Sequence, residues 1–364
     1  MRNSTTSRGL RPNNRIIFYN DPFYRDEMAS HHSKVFRFIE RILPGEEIVF
    51  ISPLHQNFWW TGLIKPVKYL FLAFFLMRNS IVIFNEERKS RRFSKVIYFN
   101  PNIDPVTLFL ILGYRRIFQL DFQISIRFIC TVDRILARQN IFTIHFLRLV
   151  GKLITSSDRV SAESIGYARH LSELSGVHIE YLEYPPIDFY PLKKVEKEKS
   201  TKSIILFIGN PRKDKGYLDL LQITSIFHDS TNVEFRIQEY VDSDREMLTV
   251  VDTLRRDCNV KILPPLPTPK EIAKQVSDCD FLLLPYNTEM YKSRNSAFMF
   301  LGLYFGKRIA TYEGTALYES ASEVNLNFKI DDLGTLQEGT GFRMVSSVPL
   351  NADLVTDKWR SFLK

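Results

Sequence analysis

The sequence predicts an α/β protein built from two doubly wound, Rossmann-like lobes that face a cleft. Three observations predict this architecture. Short β-branched or aromatic runs alternate with segments of helical periodicity, which is the βαβ rhythm of parallel sheets covered by helices. The rhythm is interrupted once, at residues 193–202, by a highly charged stretch without core residues, and then starts again. The 364 residues are enough for two domains that each bury a core.

The first lobe is expected to span residues 15–192, after a flexible basic tail at residues 1–14. Its predicted strands are 15–20, 47–52, 80–85, 95–100, 116–122, 152–157 and 179–184. Segments of helical periodicity, at 33–43, 104–114 and 162–174, lie between them. Pro185 and Pro186 end the pattern before the linker.

The second lobe is expected to span residues 203–345, followed by a C-terminal helical segment at 346–364. Its predicted strands are 203–209, 233–240, 260–266, 280–286 and 307–312. Its predicted helices are 216–227, 245–256, 269–279 and 296–305. Two successive doubly wound lobes are the simplest architecture that this order allows.

Composition excludes several classes of protein. With 45% hydrophobic and 25% charged residues the chain is globular rather than disordered or low-complexity. Cys130, Cys258 and Cys279 lie far apart, with no CxxC pair and no histidine at ligand spacing, so we expect neither a disulfide scaffold nor a metal site. No apolar stretch follows the N-terminal MRNSTTSRGLRPNN, which predicts no secretory signal and a cytoplasmic protein.

The basic residues are concentrated in the first lobe. Residues 1–192 contain 25 Lys and Arg against 17 Asp and Glu, whereas residues 193–364 contain 24 of each. No acidic residue occurs between Glu47 and Glu86, a window whose apolar run of nine residues, 69–77, is shorter than the roughly 20 needed to span a membrane. Two interpretations of this run stay open: a buried helix of the α/β domain, or a monotopic helix that contacts a membrane.

The membrane interpretation is favoured slightly by a basic cluster that follows this window. Basic residues near an anionic leaflet contribute about 1 kcal/mol each. The residues expected to meet the acceptor or the membrane are Trp59, Trp60, Lys65, Lys68, Arg88, Arg91 and Arg92. Nucleic acid is the competing partner, but no nucleic-acid motif accompanies the cluster, so we expect no such partner.

Three segments of the second lobe have features suited to a phosphate ligand. In ILFIGNPRKDKGYLDLL (205–221), Gly209 permits a tight turn, and Lys215 with Gly216 places a cation and free amides at a predicted helix N-terminus. The other segments are VKILPPLPTPKEIAKQVSDCDFLLLPY (260–286) and NTEMYKSRNSAFMFLGLYFGKRIATYEGT (287–315). For the first segment alone, an ordinary βα turn with solvated lysines is the alternative.

In their order, these segments resemble the nucleotide-sugar glycosyltransferases of the GT-B fold. LITSSDRVSAESIG (153–166) and EYPPIDFYPL (183–192) resemble the same family's last first-lobe strand and its exit into the hinge, so the resemblance covers most of residues 15–345. It implies a nucleoside diphosphate sugar as donor, a UDP-sugar in the first instance, with no further cofactor and no metal. The donor-binding residues that it implies are Gly209, Arg212, Lys215, Gly216, Leu263, Glu289, Lys292, Ser293, Arg294, Asn295 and Ser296.

The departures from the family pattern concern catalysis. Retaining members carry two glutamates eight positions apart, and Ser293 and Leu301 occupy those positions here. The first-lobe histidine of retaining members corresponds to Asp121, at the end of the predicted strand 116–122. A carboxylate there suits an inverting enzyme as general base, and the pattern resembles membrane-associated inverting glucuronosyltransferases of the xanthan type. A loop-capping role for Asp121 is the alternative, with Asp26 and Glu27 as reserve bases.

The sequence therefore predicts an enzyme that moves a sugar from a nucleoside diphosphate sugar to a lipid-linked or oligosaccharide acceptor. We expect it at the inner face of the cell membrane, in capsule or exopolysaccharide synthesis, with inversion at the anomeric carbon. The alternatives are a retaining GT-B transferase and a catalytically inactive GT-B scaffold that binds a glycan or a partner protein.

Overall fold

The computed structural model describes ten segments of the chain. They are residues 14–19, 31–51, 95–100, 105–128, 141–186, 202–209, 212–239, 245–266, 268–338 and 349–364. The chain divides into two compact units. Unit 1 comprises residues 1–162, 170–180 and 358–364, and unit 2 comprises residues 163–169 and 181–357. The predicted linker, apart from Lys202, and the predicted basic tail, apart from Asn14, lie outside the described residues.

Unit 1 is built on a six-stranded sheet with the order β2-β1-β3-β4-β5-β6. Its strands are β1 Asn14–Tyr19, β2 Glu47–Ile51, β3 Lys95–Asn100, β4 Gln123–Phe128, β5 Arg159–Ala162 and β6 Glu180–Tyr181. The described helices that accompany it are α1 His31–Ile42, α2 Pro105–Ile117, α3 Ile141–Leu153 and α4 Ile165–Ser175. The pairs from β2 to β5 are parallel, as the βαβ rhythm predicts.

A buried ion pair fixes the ends of α2 and α3 beside the start of β4. Arg115 donates to the Asp158 carboxylate at 2.6 Å and to the Leu153 carbonyl at 3.2 Å, while the Ile124 amide donates to Asp158 at 2.9 Å. Burial alone would raise the pKa of Asp158, but the hydrogen bonds and the charge of Arg115 outweigh it and lower that pKa. The two helix ends are therefore held together at the amino edge of the sheet.

Two strand predictions in the first lobe are wrong. Helix α2 continues to Ile117, and β4 begins only at Gln123, so residues 116–122 are not a strand. The Leu120 amide donates to the Arg115 carbonyl and Gln119 has a φ of 50°, which is a left-handed helix end usually made by glycine. The predicted strand 152–157 is also absent, because α3 continues to Leu153 and β5 starts only at Arg159. The predicted strand 80–85 lies outside the described residues.

Unit 2 is built on a parallel six-stranded sheet with the order β12-β11-β10-β7-β8-β9. Its strands are β7 Ser203–Phe207, β8 Val233–Gln238, β9 Val260–Leu263, β10 Phe281–Leu284, β11 Arg308–Thr311 and β12 Asn327–Lys329. Its helices are α5 Leu220–Ser225, α6 Arg245–Leu254, α7 Pro269–Asp278, α8 Ala297–Tyr304 and α9 Ala316–Ser322. Turns of 3-10 helix occur at Lys213–Lys215 and Ile330–Glu338.

Both faces of this sheet are buried, which confirms the doubly wound prediction. Leu206 packs into one apolar cluster with helices α7, α8 and α9, and Phe207 packs into the other with α5 and α6. All five predicted strands of this lobe are present. Strand β12 and helix α9, which the sequence analysis did not foresee, complete the sheet and one of its layers.

The C-terminal helix, α10 Ala352–Phe362, ends in unit 1. Trp359 is fully buried there, with its ring 5.8 Å from that of Phe38 and 6.2 Å from that of Phe99. Among the described residues, no helix combines the length and the apolar character that crossing a membrane requires.

Candidate functional site

The sheet of unit 2 has a topological switch point between β7 and β10. From β7 the chain proceeds outward to β8 and β9, whereas β10 leads to β11 and β12 on the other side. In open α/β sheets, ligands bind at the carboxyl ends of the strands that flank such a point. The segments there are Gly209, the turn 212–216, Pro285 with Tyr286, and the loop 287–296 that leads into α8.

Gly209 follows β7 with a φ of 119°, a conformation that L-residues rarely adopt. Its amide donates to the Gln238 side chain at 3.0 Å, which ties the turn to the end of β8. A Cβ at this position would lie 3.0 Å from the Phe298 ring, in the first turn of α8. The missing side chain therefore lets the backbone after β7 and the start of α8 approach each other.

Gly216 closes the turn of 3-10 helix at Lys213–Lys215 with a φ of 66°. A Cβ here would overlap the carbonyl oxygen of Pro285. The prediction that Lys215 and Gly216 lie at a helix N-terminus is wrong, because Gly216 is the C-cap of this turn and α5 begins only at Leu220. Gly216 instead packs the turn directly against the end of β10.

Lys215 points its ammonium group at two aromatic rings. The Nζ atom lies 5.7 Å from the centroid of the Tyr286 ring and 5.9 Å from that of Phe298. Burial, followed by the charge of Arg212, lowers the pKa of Lys215 to about 8. Among the described residues, the Lys215 ammonium has neither an ion pair nor a hydrogen bond, and the charge of Asp214 acts on its pKa only from a longer distance. Lys215 is therefore a partly buried cation, and none of the described residues provides a close counter-ion for its charge.

Arg212 differs from Lys215 because it already has a carboxylate partner. Its Nε donates to Asp214 Oδ1 at 2.7 Å, and its Nη2 contacts Asp214 Oδ2. Burial would raise the pKa of Asp214, but these hydrogen bonds and the charge of Arg212 hold that pKa below its usual range. The Asp214 carbonyl also accepts a hydrogen bond from the Asn287 amide at 3.0 Å.

The loop 287–296 carries six of the predicted donor-binding residues. Ser296 is the N-cap of α8, and its hydroxyl accepts from the Phe298 amide at 3.3 Å. Arg294 is buried, with 8% of its surface exposed, whereas Glu289 and Lys292 are exposed. The side chain of Asn295 and the carbonyl of Ser293 are bonded to neighbouring elements, as described below.

Leu263 ends β9 at the same carboxyl edge. Its side chain is 4% exposed and its carbonyl accepts from the Glu239 amide at 2.7 Å. The structure thus brings Gly209, Lys215 and Ser296 to the carboxyl edge of the sheet at the switch point, a place that we call the crevice, with Leu263 two strands away. Tyr286 and Phe298, which form the surroundings of Lys215, were missed by the sequence analysis because an aromatic residue after a strand or in a helix is ordinarily a core residue.

Asp121 does not occupy the position from which its role was predicted. It is exposed and precedes β4, so it lies at the amino edge of the sheet, opposite to the carboxyl ends where ligands bind. The assignment as general base depended on the wrong strand 116–122 and loses its structural support. Asp26, Glu27 and the predicted acceptor and membrane residues between Trp59 and Arg92 lie outside the described residues.

A second surface feature lies at the C-terminal end of α2. We call residues 114–119 the α2 tip. Ile117 and Phe118 are 72% and 50% exposed, and the Phe118 ring stacks on that of Tyr114 at 5.9 Å. Arg116 in the tip and Lys152 in the adjoining last turn of α3 are exposed. At this tip, two neighbouring large apolar side chains are therefore exposed beside cations.

The described parts of the chain contain no candidate metal-binding site. Among those residues, no group of three or more His, Cys, Asp or Glu side chains is placed to hold a metal ion.

The chain is similar in fold to several solved structures over nearly its whole length. A glycosyltransferase from Rickettsia africae ESF-5 has 12% identity and a TM-score of 0.62, with 97% of this chain and 98% of that chain covered. The apo form of the lipopolysaccharide outer core galactosyltransferase WaaB has 15% identity and a TM-score of 0.57, with 96% of each chain covered. The fold is GT-B.

A third similar structure carries the name of a different kind of enzyme. A putative UDP-N-acetylglucosamine 2-epimerase from Listeria monocytogenes has 11% identity and a TM-score of 0.54, with 98% of this chain and 96% of that chain covered. No protein-family model and no curated protein matches the sequence. The activity therefore has to be argued from the site rather than from the fold.

Proposed function

We propose that the protein is a glycosyltransferase that takes its sugar from a nucleoside diphosphate sugar, most simply a UDP-sugar. The observation that carries this proposal is the Lys215 ammonium beside Gly209 and the start of α8, without an ion pair among the described residues. A diphosphate supplies the charge that this ammonium lacks, and the amides at the start of α8 add donors for its oxygens.

The chemistry that such a site supports is stabilisation of a leaving group. In glycosyl transfer the bond between C1 of the sugar and the diphosphate oxygen breaks, and the acceptor hydroxyl oxygen bonds to C1. Negative charge then develops on the departing diphosphate, where Lys215 and the α8 amides stabilise it more than they stabilise the intact donor. The acceptor hydroxyl proton passes to a base, a role for which Asp121 has no structural support.

We infer an inverting reaction, which a single displacement at C1 produces. The two glutamate positions of retaining members are occupied by Ser293 and Leu301, and Leu301 is fully buried in an apolar cluster. A leucine in that environment provides no group to polarise a hydroxyl or to carry charge.

We also propose that the acceptor is a lipid-linked glycan or an oligosaccharide, used at the inner face of the cell membrane in cell-surface polysaccharide synthesis. The basic excess of residues 1–192 supports this, together with the acid-free window between Glu47 and Glu86. The α2 tip adds exposed apolar surface beside cations in the described part of the chain. Such a surface suits shallow contact with anionic lipid.

Epimerisation of a UDP-sugar is the second candidate, because a solved structure of the same fold is named as such an enzyme. Both reactions use a diphosphate site, so binding alone does not separate them. An epimerase releases an altered sugar, whereas a transferase joins the sugar to an acceptor. A scaffold without activity binds the nucleotide sugar and leaves it unchanged.

The test is to incubate the protein with UDP-, GDP- and CMP-sugars, with and without a lipid extract as acceptor. We expect one donor to yield free nucleotide and a glycosylated product of inverted configuration. The Lys215→Ala variant should lose this activity and Lys213→Ala should keep it, because Lys213 is exposed on the same turn and pairs with Glu246 at 2.5 Å. An epimerised sugar, or bound donor without turnover across the panel, would contradict the transferase proposal.

A further inference from the structure

The loop that leads into α8 is held by Glu163 and Ser164, which directly precede α4, and by Ser320 of α9, all three in unit 2. The Ser164 hydroxyl donates to the Ser293 carbonyl at 2.7 Å. The Asn295 side-chain amide donates to the Glu163 carbonyl at 2.7 Å and to the Ser320 hydroxyl at 3.1 Å. We call this set of bonds the loop clamp.

The clamp depends on buried hydroxyl groups with defined partners. Ser164 is fully buried and caps α4, since its hydroxyl also accepts from the Tyr167 amide at 3.2 Å. Ser320 lies in α9 and is 4% exposed. The two helices approach closely, because a Cβ on Gly166 would lie 3.0 Å from Glu319 Oε2. Water does not readily replace a lost bond in such a place, so each hydroxyl group is costly to remove.

The clamped residues come directly before the N-cap of α8. Ser293 and Asn295 flank the buried Arg294, and Ser296 follows at once as the cap. Phe298, in the first turn, contacts both Gly209 and the Lys215 ammonium. Fixing residues 293–295 therefore restrains the start of α8, whose Phe298 contacts the Lys215 ammonium.

We propose that Ser164 and Ser320 are positioning residues that preorganise this crevice for a nucleoside diphosphate. The inference rests on the proposed function and adds residues that lie outside the crevice itself. In this arrangement the Asn295 amide holds the loop, and the diphosphate meets Lys215 and backbone amides of the α8 start. A loop already held in its binding conformation loses less conformational entropy when the ligand binds.

The test compares nucleotide affinity with stability in matched variants, with UDP, GDP and CMP as probes. Ser164→Ala and Ser320→Ala should each weaken the tightest-binding nucleotide about 5- to 10-fold, which is the usual value of one hydrogen bond. Ser320→Thr, which keeps the hydroxyl, should restore affinity. Hydrogen exchange at 287–296 should become faster in both alanine variants.

The control is Asn351→Ala, which removes a cap without touching the loop. Asn351 caps α10, accepting from the Asp353 and Leu354 amides at 2.9 and 3.1 Å. It should lose stability, although less than Ser164→Ala because Asn351 is exposed, with nucleotide affinity unchanged. Equal affinity of Ser164→Ala, Ser320→Ala and wild type would overturn the positioning role and leave the donor site standing. A wild-type protein that binds none of the three nucleotides would overturn both.

Discussion

Replacing Lys215 by Met separates a binding role from a structural one. The folded protein holds this lysine with a pKa of about 8, against 10.5 for the free side chain, so burial of the charge costs stability at neutral pH. The difference corresponds to about 3 kcal/mol at most, from which loss of the cation–π contacts subtracts about 1 kcal/mol. We therefore expect Lys215→Met to raise the free energy of unfolding without ligand by about 1 to 2 kcal/mol.

The same substitution should weaken nucleotide binding. Losing one charge-assisted bond to phosphate costs about 1.5 to 3 kcal/mol, which is about a 10- to 150-fold increase in Kd. Denaturant unfolding and isothermal titration calorimetry measure the two effects, with Lys213→Met as the control that changes neither appreciably. A Lys215→Met protein that is less stable and binds UDP as tightly as wild type would refute the reasoning.

The direction of the pH dependence follows from the lowered pKa. Between pH 8 and 10.5 the unfolded lysine binds more protons than the folded one, so this group makes the ligand-free protein more stable as pH rises through that window. Nucleotide affinity should change in the opposite direction, because the diphosphate binds the protonated ammonium. A wild-type Kd that stays constant from pH 7 to pH 9 would contradict the assignment.

Three further predictions concern Gly216, Asp121 and the α2 tip. Gly216→Ala should unfold or severely destabilise the protein, since its Cβ would overlap the Pro285 carbonyl, whereas Gly314→Ala has the same left-handed strain with open space and should cost about 1 kcal/mol; thermal melts measure both. Asp121→Asn should leave turnover within a few-fold of wild type, and a hundredfold loss would return this residue to the mechanism. Ile117→Asp should reduce flotation with anionic liposomes at low salt but leave nucleotide binding unchanged; equal flotation of variant and wild type would remove the tip from the membrane surface.

The sequence predicted the second lobe well because local signals and the tertiary structure agree there. Helix α7 begins with a complete capping box, in which Thr268 accepts from the Glu271 amide at 3.2 Å and Glu271 accepts in return, and Pro269 follows the cap. Strand β10 is a continuous apolar run, as a parallel strand buried on both faces requires. Periodicity and caps were enough to place these elements.

The first lobe shows where local signals failed. The run at 116–122 has a pattern typical of a strand. In the structure, Arg115 forms an ion pair with Asp158, 43 residues away in the sequence, and this pairing keeps α2 helical to Ile117. The left-handed residue at the end of this helix is Gln119 rather than a glycine, so the sequence does not indicate that the helix ends there. Because of that single error, Asp121 was predicted at the carboxyl edge of the sheet rather than at the amino edge. The catalytic assignment depended on this position and is lost with it.

In the site, the sequence identified the glycines and the lysine but not their surroundings. Lys215 and Gly216 were found from the sequence motif, while the contacts of Tyr286, Phe298 and Ser164 join residues that lie 71 to 129 positions apart in the sequence. Ser293 and Asn295 were assigned to phosphate because their segment resembles the phosphate-binding loop and helix start of the GT-B family. Which partner such a side chain takes is decided by the packing of α4 and α9 around it.

The measurement that tests the central claim most directly is a crystal structure of the complex with UDP. We predict the diphosphate at the switch point between β7 and β10, with one oxygen within hydrogen-bond distance of Lys215 Nζ and another on the amides at the start of α8. UDP bound away from these groups, or no bound nucleotide at millimolar concentration, would contradict the account.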